Sequence, residues 1–185
     1  MPGVILIAYS TVDGHTRAIC ERLRASIEAA GQAVTLTTVE EAAALDLAAF
    51  DKIVVGASIR YGHHRDSVLA FADAQATLLN AKPSAFFSVN IVARKPQKNR
   101  ADTNPYVRKF LQRVRWQPTL VDVFAGRLDY PRYGFFDRQM IRLIMLLTHG
   151  PTDPRAVVEF TDWQRVQDFA QRVAAMQHGG GRPLT

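Results

Sequence analysis

Tyr9-Ser10-Thr11-Val12-Asp13-Gly14-His15-Thr16 sets three hydroxyls, those of Ser10, Thr11 and Thr16, around a glycine. The segment lies directly after an apolar run and directly before a helical pattern. A helix that starts at such a turn points its free N–H groups, and the positive end of its dipole, into the turn. An anion held there gains both. Gly14 permits the tight backbone turn. The loop has no lysine, and the chain carries neither G-x-x-x-x-G-K-S/T nor G-x-G-x-x-G. A nucleoside triphosphate or a dinucleotide is therefore not the expected guest. The loop fits one monophosphate. Asp13, whose carboxylate an anion would repel, is expected to turn away and cap the helix through backbone N–H groups.

Other reactive residue types are sparse. His63 and His64 stand together and titrate near neutral pH, so either could move a proton or could support the helix that follows. Cys20 is the only cysteine and falls in a helical pattern, where a small buried hydrophobe is the expected role. No His, Cys and acidic residues share metal-ligand spacing, so no metal is expected.

These residues need elements to position them. Val4 to Tyr9 is a continuous apolar run, the pattern of a strand buried on both faces. Ile19, Leu23 and Ile27 repeat every four residues up to a C-capping Gly31. Strands are expected over Ala33–Val39, Asp51–Ala57, Pro83–Val89 and Leu120–Ala125. Helical spacing joins Val68 to Leu79, Tyr106 to Val114, and Trp163 to Met176, the last behind an Asp162 N-cap. Strand and helix alternate five times, which predicts an α/β three-layer sandwich around a parallel sheet. Ligands of such sheets bind beyond the carboxyl ends of the strands, here in the loops after strands one, three and four.

One stretch breaks the alternation. About 30 residues, 129–159, separate the fifth strand from the last helix, long for a connection. It reads as an insertion with an amphipathic helix, aromatic at its entry. The helix is too short and charged to span a bilayer. Arg132, Arg138 and Arg142 could meet anionic headgroups while Phe135, Phe136, Met140, Ile141, Ile144 and Leu147 bury apolar area. The same apolar residues could instead pack on the body and cover a substrate.

The chain has 185 residues, enough for one domain, expected over 1–178 with Gly179–Thr185 as a frayed tail. Hydrophobic residues make up 48% and charged residues 22%, and with a single cysteine this excludes a disulfide scaffold and a mostly disordered chain. No segment reaches the length of a spanning helix, and the N-terminus shows no basic n-region, so export by a signal peptide is not expected. The net charge of +6 is concentrated. Residues 94–142 hold twelve Lys or Arg against four Asp, or +8; the remainder holds eleven against thirteen, or −2. Such a stretch is a solvated basic face or meets an anionic substrate, membrane or nucleic acid; no zinc finger or RNA-binding sheet motif supports nucleic acid.

A first strand ending in S-T-x-D-G-x-T resembles the flavodoxin family. More narrowly, Gly56-Ala57-Ser58-Ile59-Arg60-Tyr61-Gly62-His63, Phe87-Ser88-Val89-Asn90-Ile91-Val92-Ala93-Arg94-Lys95-Pro96, Tyr130-Pro131-Arg132-Tyr133 and Asp137-Arg138-Gln139-Met140-Ile141 resemble the bacterial menaquinone-dependent protoporphyrinogen IX dehydrogenases. Phe160-Thr161-Asp162-Trp163 completes the likeness, which spans residues 4 to about 176. The resemblance implies a five-stranded parallel sheet in order 2-1-3-4-5 and flavin mononucleotide (FMN) as cofactor. It places the phosphate on Ser10, Thr11, Val12, Asp13, Gly14, His15 and Thr16. Ser58, Ile59, Arg60, Tyr61 and Gly62 would border one side of the flavin ring. Ser88, Val89, Asn90, Ile91, Val92, Ala93 and Arg94 would border the other. It implies oxidation of protoporphyrinogen IX to protoporphyrin IX in haem biosynthesis, with electrons passed to a membrane quinone, menaquinone or ubiquinone. It also implies a peripheral position on the cytoplasmic face of the cell inner membrane. Arg60, Arg94, Lys95 and Arg132 are candidate partners of the substrate's propionates. Arg60, Tyr61, His63 and Arg94 are the candidate catalytic residues, with Tyr61 a candidate to stack on the flavin. An NAD(P)H-dependent quinone reductase and an FMN electron carrier are the alternatives. Ordinary flavodoxins are acidic, and this chain is basic, which argues against the carrier.

Overall fold

The computed structural model describes residues 3–177; the expected tail from Gly179 lies outside them. Strands β1 (Val4–Ser10), β2 (Ala33–Thr38), β3 (Lys52–Arg60), β5 (Ser84–Asn90) and β6 (Leu120–Ala125) form a parallel sheet in the order β2-β1-β3-β5-β6. With the two-residue β4 (His63–His64) left out of the count, this is 2-1-3-4-5. β4 folds back antiparallel on the end of β3, pairing His64 with Ile59 and His63 with Arg60.

Period-two alternation divides the core into two layers. Ile5, Ile7 and Tyr9 of β1 pack with Val54, Phe87 and Phe124 against α1 (His15–Ala29) and α7 (Trp163–Ala175). Leu6 and Ala8 pack with Ile53, Val55 and Phe86 on the opposite face. Over that face lie α2 (Val39–Ala42), α3 (Asp66–Ala74), α4 (Ala76–Ala81) and α5 (Pro105–Arg113). The apolar periodicity from Val68 to Leu79 is thus shared by two helices, α3 and α4, that meet at Gln75. Val39, expected to end the second strand, instead opens α2, because Thr38 and Glu41 form a capping box. Asp162 caps α7 as expected, accepting from the N–H groups of Gln164 and Arg165.

The insertion forms its own small unit. β7 (Arg127–Asp129) and β8 (Val157–Glu159) pair antiparallel, with α6 (Phe135–Leu147) between them in sequence. Leu128, Tyr130, Tyr133 and Met145 make a separate buried cluster. Only Met145 of α6 is fully buried. Arg138 donates to the carbonyls of Tyr130 and Tyr133, and Arg142 to that of Thr152. Two of the three arginines expected at a membrane surface therefore brace the insertion itself.

The carboxyl end of β5 rests on a buried polar chain. His64 Nε2 lies 2.9 Å from Ser88 Oγ, and Asn90 Nδ2 donates to that same oxygen at 3.1 Å. Asn90 and Asn104 exchange side-chain hydrogen bonds, and Asn90 Oδ1 also accepts the Ala93 N–H. Packed edge-on against Phe86 and Phe110, the His64 imidazole is pushed down to about 4, chiefly by burial. A group whose folded pKa lies below its unfolded value stabilises the fold above the unfolded pKa. That contribution is lost as pH falls toward the folded pKa. Denaturant unfolding should therefore show a loss of about 2 kcal/mol between pH 7 and pH 5 that His64→Gln removes. Equal pH slopes for wild type and variant would refute this role for His64.

Candidate functional site

The carboxyl ends of β1, β3, β5 and β6 open into a cavity of about 860 Å³. That is the size of a site for a cofactor or a drug-sized ligand. Thr11 to Thr16 line one end, Ser58 to Gly62 a second wall, and Val89 to Val92 a third. Gly126 to Asp129, after the fifth strand, contribute a fourth wall that the sequence reading missed. The insertion supplies the roof, with Tyr133, Asp137, Met140, Ile141 and Ile144.

The first loop is built to leave donors free. Gly14 is the N-cap of α1 with φ +83°, a conformation that disfavours any side chain. The Gly14 N–H is taken by Thr11 Oγ1 at 3.0 Å. Among the described residues no side chain caps the first turn of α1. Asp13, expected to cap it, instead meets Arg60 at 3.4 Å, where a guanidinium offers more than a backbone dipole. His15 Nε2 lies 2.6 Å from Thr161 Oγ1, which itself donates to the Ala125 carbonyl at 2.7 Å. The hydroxyl can then only accept from the ring, which puts the imidazole proton on Nε2 and a lone pair on Nδ1. Burial, the largest influence, pulls the His15 pKa down and keeps the ring neutral. The loop thus offers backbone N–H groups and hydroxyls rather than cations.

The second wall turns sharply. Tyr61 has φ +49° and Gly62 φ +81°. Tyr61 is 65% exposed at the rim, with the Arg60 guanidinium 5.4 Å from its ring centroid. Arg60 and Tyr61 both bond to the carboxylate of Asp137 on α6, which ties roof to wall. Ser58 Oγ is buried without a hydrogen-bond partner among the described residues. A buried orphan hydroxyl on a cavity wall is a group that a polar ligand can satisfy.

Not every expected site residue reaches the cavity. Ser10 and Ser88 are buried in the strand ends beside it, and Ser88 serves the His64 chain. Ala93 is core, and Arg94 is spent on the carbonyl of Ile91 and on the carbonyl and hydroxyl of Thr148. Arg94 therefore anchors the C-terminal end of α6 rather than waiting for an anion. Lys95 does not line the cavity, and His63 Nδ1 lies 3.1 Å from the Tyr61 carbonyl, outside it. Arg132 does line it and has no ion-pair partner among the described residues. Arg127, which the sequence reading passed over, lines it too, paired with Asp129 at 3.1 Å.

The chain has relatives both in sequence and in fold. A flavodoxin domain model matches residues 6–155. Protoporphyrinogen IX dehydrogenase [quinone] of Escherichia coli K12 is 45% identical over 169 residues, 91% of this chain and 93% of the relative. The protein of that name from Leishmania major is 44% identical over 172 residues, 92% of this chain and 74% of its own length. Oxidised flavodoxin 2 from Bacillus cereus superposes with a TM-score of 0.54 at 20% identity, covering 92% of this chain and 97% of the flavodoxin, a likeness of fold alone. A flavodoxin body with a roofed cavity at its sheet edge, matched through nearly its whole length at this identity, belongs to the flavodoxin domain family and, within it, to the quinone-dependent protoporphyrinogen IX dehydrogenases.

Proposed function

We propose that this chain holds FMN in the cavity at the sheet edge and oxidises protoporphyrinogen IX to protoporphyrin IX, delivering the electrons to a membrane quinone. The observation that carries the reading is the 45% identity with the Escherichia coli dehydrogenase over 91% of this chain. The residues fit FMN. The uncapped first turn of α1, with the hydroxyls of Thr11 and Thr16, would hold the phosphate. Ser58 Oγ is a buried polar atom awaiting a partner, and the cavity is large enough for a flavin with room for a second ring system. When bound, FMN supplies the two-electron acceptor that no side chain provides.

The protein's share is placement and exclusion of water. Met140, Ile141 and Ile144 give the roof an apolar inner face suited to a macrocycle. Tyr133, its hydroxyl accepting the Asp129 N–H, is raised above the usual phenol range mainly by burial and stays protonated. Arg60, Arg127 and Arg132 are the cations on the cavity wall that can meet propionates.

The exposed face of α6 supports a peripheral position on the cytoplasmic face of the inner membrane, where the quinone is. Phe136, Leu143 and Leu147 share one helical stripe and are more than half exposed, with Phe135 and Leu146 beside them. Apolar area of this kind on a surface helix suits the bilayer boundary. Among the described residues no helix is long and apolar enough to cross a membrane.

FMN should bind with riboflavin far behind, and Thr16→Val should weaken FMN roughly tenfold to a hundredfold without loss of fold. Equal titrations for the two flavins would remove the phosphate from this loop. Protoporphyrinogen IX, mixed anaerobically with the flavin-loaded protein, should bleach the flavin band, and menaquinone should restore it. No bleaching by the porphyrinogen, with fast bleaching by a nicotinamide, would move the function to a nicotinamide-dependent quinone reductase. Sedimentation with anionic vesicles should be lost in a variant carrying Phe136→Asp, Leu143→Asp and Leu147→Asp that keeps its flavin and circular dichroism. Unchanged sedimentation would mean that this stripe is not the membrane contact.

A further inference from the structure

The ion pair that closes the cavity joins two residues 77 positions apart, Arg60 at the end of β3 and Asp137 in the first turn of α6, and both line the cavity. Tyr61 adds its hydroxyl to the same carboxylate, and Asp13 stands 3.4 Å from the other side of the guanidinium. The remaining cations are differently placed. Arg94 is committed to carbonyl and hydroxyl oxygens, Arg127 is paired on its own strand with Asp129, and Arg132 is exposed at the rim. Of the arginines that line the cavity, Arg60 is the one paired with a carboxylate of the roof, across the cavity mouth.

Three features mark this contact as exchangeable. The side chains of Arg60 and Asp137 are 26% and 21% exposed, so an incoming solute can reach the pair from the cavity. The N-terminal turn of α6 has no buried residue: Met145, in the last turn, is the only one in the helix. Replacing Asp137 by another carboxylate leaves the charge on Arg60 compensated, so no guanidinium is stranded. Resting on the reading that the site accepts protoporphyrinogen IX, we infer that Arg60 recognises a substrate carboxylate and that Asp137 is its internal stand-in. The incoming carboxylate takes the place of Asp137 on Arg60 and unclasps the first turn of α6. The pair thereby selects for a dicarboxylate macrocycle over an uncharged one.

The test is a fluorescence titration of the flavin-loaded protein with protoporphyrin IX and with its dimethyl ester, in one detergent. Wild type should prefer the free acid. Arg60→Gln should weaken the acid about tenfold or more and leave the ester unmoved, while Arg60→Lys should recover only part of the difference. Asp137→Asn removes the competitor, so it should tighten the acid severalfold without changing the ester. In the Arg60→Gln background it should do nothing. A purely structural ion pair predicts the reverse, with both substitutions weakening acid and ester alike, and that result overturns the inference. Should Asp137→Asn not fold, Tyr61→Phe loosens the same carboxylate from its other side and must tighten the acid selectively. Binding of acid and ester with equal affinity in wild type and Arg60→Gln would sink the inference alone. Binding of neither would sink the porphyrin reading itself.

Discussion

Complete burial of the central strands on both faces is the constraint from which the site follows. Ile5 to Ala8, Ile53 to Val55 and Ala85 to Phe87 are shut between two layers of helices. Every side chain along those runs is consumed by packing. Gly56 shows how tight this is, since a Cβ there would fall 2.2 Å from the Phe87 ring. Chemistry is therefore pushed to the strand ends, where the parallel arrangement brings four loops together. The first of them inherits the dipole of α1, and the last is roofed by the insertion.

The body was legible because its elements are strongly patterned. A six-residue apolar run is hard to read as anything but a buried parallel strand, and Ile19, Leu23 and Ile27 leave little choice of helix face. Errors came where local chemistry overrode pattern. The Thr38–Glu41 capping box took Val39 out of its strand, and Gln75 divided one apolar periodicity between two helices. The phosphate loop was legible as a loop, but the partner of Asp13 was not, because Arg60 lies 47 residues away. Arg94, Arg138 and Arg142 read as free cations for another reason, that most of their partners are main-chain atoms. Sequence shows a charge but not the backbone carbonyls that three-dimensional folding brings to it.

The insertion helix was the least decided element, and its geometry explains why. Each of its three faces has its own task. Arg138, Arg142 and Met145 fasten it down, while Asp137, Met140, Ile141 and Ile144 look into the cavity. Phe136, Leu143 and Leu147 look out. Two apolar faces on one short helix read, in one dimension, as a single broad stripe. The two competing expectations, a membrane contact and a cover over the substrate, concern different sides of the same cylinder.

The separateness of the small cluster around Leu128, Tyr130, Tyr133 and Met145 has a thermodynamic consequence. A roof with so few fully buried side chains is expected to open at a lower free energy than the sheet beneath it. Its opening and the melting of the body are distinct events. Local opening of the roof would bare a deep site on a framework that stays folded. What holds the roof to the body is then a handful of contacts, Ile91 and Phe160 against the cluster and Arg60 and Tyr61 against Asp137, rather than the stability of the whole.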